Sequence, residues 1–366
     1  MKKIYFDYAA TSIKRKKILE NILKNAESFD GNPDSTHAYG REAKKILEDS
    51  RRKIAKSIGA NPNQVIFTSG ASESNNTVIN AYKNNHIIST NIEHDSILNT
   101  LSGKNVSYLK ADREGMVHLE DLKKLINDDT KLVIVMFVNN EIGTIEPVKE
   151  IGAYLKDKPI HFHVDAVQAY GHIDIDVDEL CCDSLSLSAH KVGGVNGFGI
   201  LYQREDIEIF IKGGEQEKHR RAGTSFTIGA YSMAEAFSET EREREKIKDI
   251  KNYFIEKLDE SDISYEINGS IKHSTDHIIN IYFNDFKSDF LLTFLDMHGI
   301  CASAGSACRA GALEPSRVIQ NIYDENRALH SVRFSFGYEN SREDIDRLIE
   351  VLGKVEVWKI KKIQKL

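Results

Sequence analysis

Short apolar runs of strand length recur through the first two hundred residues: Gln64–Thr68, His86–Thr90, Lys131–Phe137, His161–Asp165, Ser184–Ser188 and Gly199–Tyr202. Between several of them lie longer stretches with helical spacing, among them Arg41–Ile58, Glu73–Lys83 and Val148–Leu155. Runs of four to eight residues are too short for buried helices and suit strands covered on both faces. Strands joined through helices pair side by side in one direction, so the alternation predicts an α/β architecture around a mostly parallel sheet.

The pattern changes near residue 236. The interval 236–259, AFSETEREREKIKDIKNYFIEKLD, reads as one long charged helix with many i,i+4 pairs, a solvated connector. Beyond it, Ile278–Phe283 and Val332–Phe336 look like strands of a second, smaller layer, with helices at Ser288–His298 and Arg342–Gly353. The C-terminal KVEVWKIKKIQKL reads as a basic amphipathic helix packed by Val355, Trp358 and Ile360, with a partner-docking tail as the alternative. A chain of 366 residues, 40% of them hydrophobic, has the apolar material for one large domain and a smaller one.

Composition narrows the classes of partner. The net charge of −7 leaves no basic footprint, so nucleic acid is not expected as a direct ligand. The opening MKKIYFDYAATS has no apolar stretch behind its lysines and does not read as a secretory signal. The longest strongly apolar run, Leu132–Val138, is too short to span a membrane. Four cysteines, two of them adjacent (Cys181 and Cys182), form neither a disulfide framework nor a zinc knuckle; reduced thiols in the cytoplasm are the expectation.

Several residues could carry chemistry. In SLSAHKVGGVNGFG, Lys191 follows a strand and precedes a glycine-rich turn, where a lysine can approach a cofactor and form a Schiff base; a plain surface lysine is the alternative. In HFHVDAVQ, the strand period of two puts His161, His163 and Asp165 on one face. That face could bind a metal, or Asp165 alone could stand at the strand's C-terminal end and pair with a protonated pyridine nitrogen, or the aspartate could be structural. In FTSGASESNN a strand ends, Gly70 turns, and a helix begins at Ser72, which is either an ordinary N-cap or a phosphate site. His94 and Asn140 each follow a strand. Arg333, in an apolar strand, must find an anion, either a structural carboxylate or that of a substrate. Cys308 sits in SAGSACRAG, where small neighbours give a thiol little to pack against.

These segments, in their order, resemble the cysteine desulfurases, pyridoxal phosphate (PLP) enzymes of the class V aminotransferase group, fold type I. The resemblance rests on YFDYAAT, GNPDSTH, FTSGASESNN, IEHDSI, VNNEIGTI, HVDAVQ, SAHK, RRAGT, SAGSAC with LEPS, and VRFSFG, and runs nearly end to end. The loop around Cys308 looks like the longer catalytic loop of the first subgroup.

The resemblance implies an α/β fold. Its large domain, residues 14–250, has a mostly parallel seven-stranded sheet flanked by helices. A smaller α+β domain of residues 1–13 and 251–366 carries the cysteine loop. It implies that Lys191 forms the Schiff base, Asp165 holds the pyridine nitrogen protonated, and His94 stacks on the ring and moves protons. Asn140 and Gln168 would reach the ring's phenolic oxygen or its neighbourhood. Ser72, Ser188, His190 and the backbone of Ala71 would hold the phosphate, with Thr224 reaching the phosphate of a second subunit in a homodimer. Arg333, with Asn32 nearby, would take the carboxylate of L-cysteine. Cys308 would accept the sulfur as a persulfide and pass it to an acceptor protein, an iron–sulfur scaffold or a tRNA-thiolation enzyme. No metal is implied.

A selenocysteine lyase or other class V PLP lyase, and a catalytically silent scaffold of the same fold, are the competing readings. The chain departs from the family pattern at Ser72 for threonine, Ala189 for glycine, VGGVNGFG after Lys191, and CRAG for Cys-Thr-Ser. Cys181, Cys182 and Cys301 match no catalytic position and are expected to be structural.

Overall fold

The computed structural model describes residues 3–208, 210–305 and 315–363, the last eight of these as backbone only. In chain order the strands are β1 (Ile4–Tyr5), β2 (Val65–Thr68), β3 (His86–Thr90), β4 (Val106–Leu109), β5 (Thr130–Met136), β6 (His161–Asp165), β7 (Ser184–Ser188), β8 (Gly199–Gln203), β9 (Tyr265–Asn268), β10 (Ile278–Phe283), β11 (Ile300–Cys301) and β12 (Ser331–Ser335).

Seven of them form one sheet in the order β2-β8-β7-β6-β5-β3-β4. All run parallel except β8, which pairs antiparallel with both neighbours. β2 therefore points the same way as β7, and six C-terminal strand ends open on one edge. The central strands are buried along almost their whole length because helices cover both faces, and that is why their sequences read as unbroken apolar runs. β4 is the exception. It closes the sheet edge with only Leu109 buried and Tyr108 exposed, so its sequence carries no continuous apolar signal.

A second core lies on a three-stranded antiparallel sheet, β12-β10-β9, and a short parallel pair, β1 with β11. Phe6, Phe254, Ile281, Leu295, Phe334, Phe336 and Leu348 fill it. The segment 236–259 is not one helix. Helix Thr227–Arg242 and helix Arg244–Asp259 are separated at Glu243, where the backbone leaves helical geometry. The break lets the two halves serve different cores. The first packs on helix Ala38–Lys56, while the second buries Ile247, Ile250, Phe254 and Leu258 in the smaller core and so is no mere solvated connector. Full burial of a side chain such as Phe254 contributes about 2–3 kcal/mol. Glu243 itself accepts from Arg15 Nη1 and Nη2, at 3.0 and 2.8 Å.

The C-terminal helix runs Arg342–Ile363, past the expected Gly353, and buries Val355. The side chains of Trp358 and Ile360 lie outside the described residues. Among the described residues no helix is long and apolar enough to cross a membrane.

Candidate active site

The edge formed by the parallel strand ends borders a cavity of about 370 Å³. Ala71 and Ser72 line it from beyond β2, His94 from beyond β3, Asn140 from beyond β5, Asp165 and Gln168 from β6 and its turn, and Ser188, His190 and Lys191 from β7 and its turn. Arg333 reaches it from β12. Open α/β sheets collect ligands at this edge because loops there are free to vary while strands fix their roots.

Helix Ala71–Ala81 starts at Gly70, whose φ of +152° is open to glycine alone at low cost. Close approach matters as well, since a Cβ on Gly199 of β8 would meet the Gly70 Cα at 2.5 Å. The first N–H groups of any helix lack intrahelical partners, and here they belong to Ala71 and Ser72 on the cavity wall. Glu73 in the same turn takes the Ser69 N–H at 2.8 Å and both arms of Arg221 at 2.9 and 3.0 Å. Burial opposes its charge, but the Arg221 and Ser69 bonds outweigh it and hold the carboxyl below the usual range.

Lys191 points its Nζ at two backbone carbonyls, Ala9 O at 2.6 Å and Ala10 O at 2.9 Å. Asp165 accepts from Asn75 Nδ2 at 2.9 Å and from the Val167 N–H at 3.1 Å. His94 caps helix Asp95–Leu101. Its Nδ1 accepts the Ser96 N–H at 3.1 Å, which leaves Nε2 as the protonated nitrogen of the neutral ring. Burial lowers the His94 pKa; Asp165 raises it in part and Lys191 lowers it again. His190 is pushed down to about 3 by burial and by Lys191. The buried Glu93 is raised well above the carboxylate range by burial and then by the Asp165 charge.

Arg333 is 1% exposed and already has an internal carboxylate partner. Its Nη2 donates to Asp7 Oδ1 at 2.8 Å and its Nη1 to the Asn140 carbonyl at 2.8 Å, while Nε, also buried, has no partner among the described residues. The structural carboxylate exists, and the guanidinium still borders the cavity.

His161 and His163 do not converge with Asp165 on a common point. His163 Nε2 donates to Asn75 Oδ1 at 3.0 Å, so its Nδ1 accepts the Ser184 hydroxyl at 2.8 Å and His161 Nε2 donates to that hydroxyl oxygen at 2.7 Å. Burial holds them down at about 4 and about 3, so both are neutral packing residues. Cys182 is buried, and its thiol is pushed up to about 12 by that burial.

Asn32 and Thr224 are exposed and do not line this cavity. Cys308 lies outside the described residues. Sequence reasoning gave no role to Asp7, Asn75 or the carbonyls of Ala9 and Ala10. The carbonyls are backbone groups with no side-chain signal, and only the YFDYAAT segment marked their neighbourhood.

Comparison with known proteins gives the following. Residues 4–348 match the family model described as aminotransferase class-V. A putative cysteine desulfurase IscS 1 of Bacillus subtilis is 40% identical over 364 residues, covering 94% of this chain and 96% of that protein. A cysteine desulfurase IscS of Clostridium botulinum is 40% identical, covering 97% of this chain and 94% of its own length. Among solved structures, a NifS-like protein superposes with a TM-score of 0.90 at 30% identity, covering 98% of this chain and 100% of the other. SspA in complex with cysteine gives 0.81 at 32% identity, covering 92% and 99%.

Proposed function

The chain belongs to the class V aminotransferase family and is a cysteine desulfurase; we propose that it takes pyridoxal phosphate as cofactor, releases L-alanine from L-cysteine and carries the sulfur as a persulfide on Cys308. One observation supports the site assignment above the others. An amine, a carboxylate, an imidazole, hydroxyls at a helix N-terminus and a guanidinium, drawn from separate segments, all border one cavity.

That donor set fits the cofactor. Ser72, Ser188, His190 and the Ala71 backbone offer donors to a phosphate, and a Gly70–Gly199 contact too close for any Cβ shapes the turn that presents them. Asp165, fixed by hydrogen bonds from Asn75 and the Val167 N–H, would offer its carboxylate to a protonated pyridine nitrogen. Asn140 and Gln168 offer amides to the ring's phenolic oxygen. When bound, pyridoxal phosphate supplies an electron sink for bond breaking around the substrate's α-carbon.

The chain's own residues do the rest. Lys191 anchors the cofactor and then carries the α-proton; the Ala9 and Ala10 carbonyls hold its Nζ ready. His94 lies neutral with its proton on Nε2, free to stack and to move a proton. Arg333 takes the substrate carboxylate through the part of its guanidinium that Asp7 and Asn140 leave over. The Cys308 thiolate attacks the substrate sulfur. An S–S bond forms, the carbon–sulfur bond breaks, and its electron pair takes a proton to give alanine. We further propose a homodimer in which Thr224 serves the partner's phosphate, a cytoplasmic setting, and an iron–sulfur scaffold or tRNA-thiolation enzyme as sulfur acceptor. We propose a large domain of residues 14–250 beside a small one of 1–13 and 251–366; two separate cores support a two-domain division, although Ile247 and Ile250, on the large-domain side of that boundary, pack in the smaller core.

The test is alanine release from L-cysteine with a reducing thiol, wild type beside Cys308→Ala. Alanine from wild type alone supports the reading; equal alanine from both removes Cys308 from the chemistry.

A further inference from the structure

A line of hydrogen bonds runs from behind the cavity to Lys191. Its fixed point is the Ala9 carbonyl, which can only accept. Gln168 touches it through its side-chain amide at 2.9 Å, so the amide nitrogen must face Ala9 and Oε1 must face the other way. Oε1 meets His277 Nε2 at 3.2 Å, so that nitrogen must carry a proton. The imidazole is buried and stacked on His172, ring centroids 3.6 Å apart and planes within 8°. A second proton would place charge in an apolar stack that Lys251, Arg333 and Lys191 already make positive. Nδ1 is therefore bare and takes the Thr275 hydroxyl at 2.7 Å. Each link fixes the next, and the whole line has one consistent set of protons.

We propose that His277 is a positioning residue: it locks the Gln168 amide so that nitrogen, not oxygen, is presented to the cofactor side of the cavity. The inference rests on the reading of the cavity as a pyridoxal phosphate site and goes beyond it. Gln168 lines that cavity, and a ring oxygen there needs a donor. Ala9 and His277 hold opposite ends of the amide; without His277 the Ala9 bond alone opposes a flip that would offer an acceptor to an acceptor. The histidine reaches no cofactor atom itself; it acts through Gln168.

The experiment uses the full-length protein and measures two things for wild type, His277→Phe, His277→Asn and Thr275→Val. The first is the dissociation constant of pyridoxal phosphate by equilibrium dialysis. The second is the pH midpoint of the bound cofactor's visible absorbance. Phenylalanine keeps the stack and removes the donor, and should weaken binding about three- to tenfold, the worth of one hydrogen bond, and move the midpoint. Asparagine restores a donor and should recover most of the loss. Thr275→Val leaves the imidazole in place, should shift both readouts in the same direction, and carries the test if His277→Phe does not fold. Repeating the series on Gln168→Ala separates positioning from packing. In that background the His277→Phe effect should vanish, whereas a structural histidine would cost the same in both. Equal losses in the two backgrounds, or an unmoved midpoint, overturn the inference. If wild type itself binds no pyridoxal phosphate, the site reading fails first, and the inference with it.

Discussion

Asp7→Asn tests how the substrate clamp is poised. Asp7 Oδ1 lies 2.8 Å from Arg333 Nη2, the aspartate side chain 19% exposed and the arginine 2%. Removing one member of a fully buried pair costs about 3–5 kcal/mol, but Asp7 is partly in water and asparagine keeps the accepting oxygen. Only the charge is lost, about 1–2 kcal/mol. Unfolding entropy near 2.1 cal/mol/K per residue gives roughly 0.8 kcal/mol/K for a chain this long, so Tm should fall by about 1–3 °C. Substrate binding should move the other way. A guanidinium relieved of its internal carboxylate attracts an incoming one more strongly, and the same 1–2 kcal/mol lowers KM for L-cysteine about five- to thirtyfold. Thermal scanning and alanine production over a range of L-cysteine concentrations read both effects. A lower Tm with an unchanged or higher KM would refute the argument, because Arg333 would then not be shared between Asp7 and substrate.

Four further outcomes are expected. Arg333→Ala should weaken L-cysteine binding by about 2–4 kcal/mol, and an unchanged apparent affinity would remove the clamp. Lys191→Ala should abolish any cofactor link that borohydride can fix, checked by intact mass. Cys308→Ala should still bind cofactor and L-cysteine while forming almost no persulfide, measured by thiol-labelling mass spectrometry. Stability should peak near pH 6.5 in denaturant titrations from pH 5 to 8. His161, His163 and His190 are held to about 4, 3 and 3, chiefly by burial, so below pH 6.5 the unfolded chain gains protons the folded one refuses, and stability falls with falling pH by up to ~1.4 kcal/mol per unit for each. Glu146, raised by burial to about 8, keeps a proton that the unfolded chain releases above 4.5, so it lowers stability as pH rises toward 8. A flat profile from pH 5 to 6.5 would contradict the neutral burial of these histidines.

What the sequence revealed follows from how each element is buried. β3, β6, β7 and β10 lie where their apolar runs predict them, to the residue, because most of their positions are covered and nothing dilutes the pattern. β4 and β9 escaped notice because each is an edge strand with one buried residue. The two-residue strands β1 and β11 are too short to show any period. Helix 236–259 looked continuous since charged residues suit both halves, and the turn at Glu243 depends on Arg15, more than two hundred positions away. Site residues with distinctive side chains at strand ends were legible. Those acting through backbone, as Ala9 and Ala10 do, or through a shared network, as His277 and Asn75 do, were not.

The segment from Tyr5 to Thr11 has a consequence for how the enzyme comes into being. It pairs with β11, seats Phe6 in the smaller core, sets Asp7 on Arg333 and turns its carbonyls to Lys191 and Gln168. Asp7 and Arg333 are 326 residues apart in the chain. During synthesis the large sheet can form while these few residues still wait for β12, so no ribosome-bound fragment ending before it holds a finished site. Closing so distant a contact is slow. Activity should therefore be the last property a nascent chain acquires, well after it resists proteolysis.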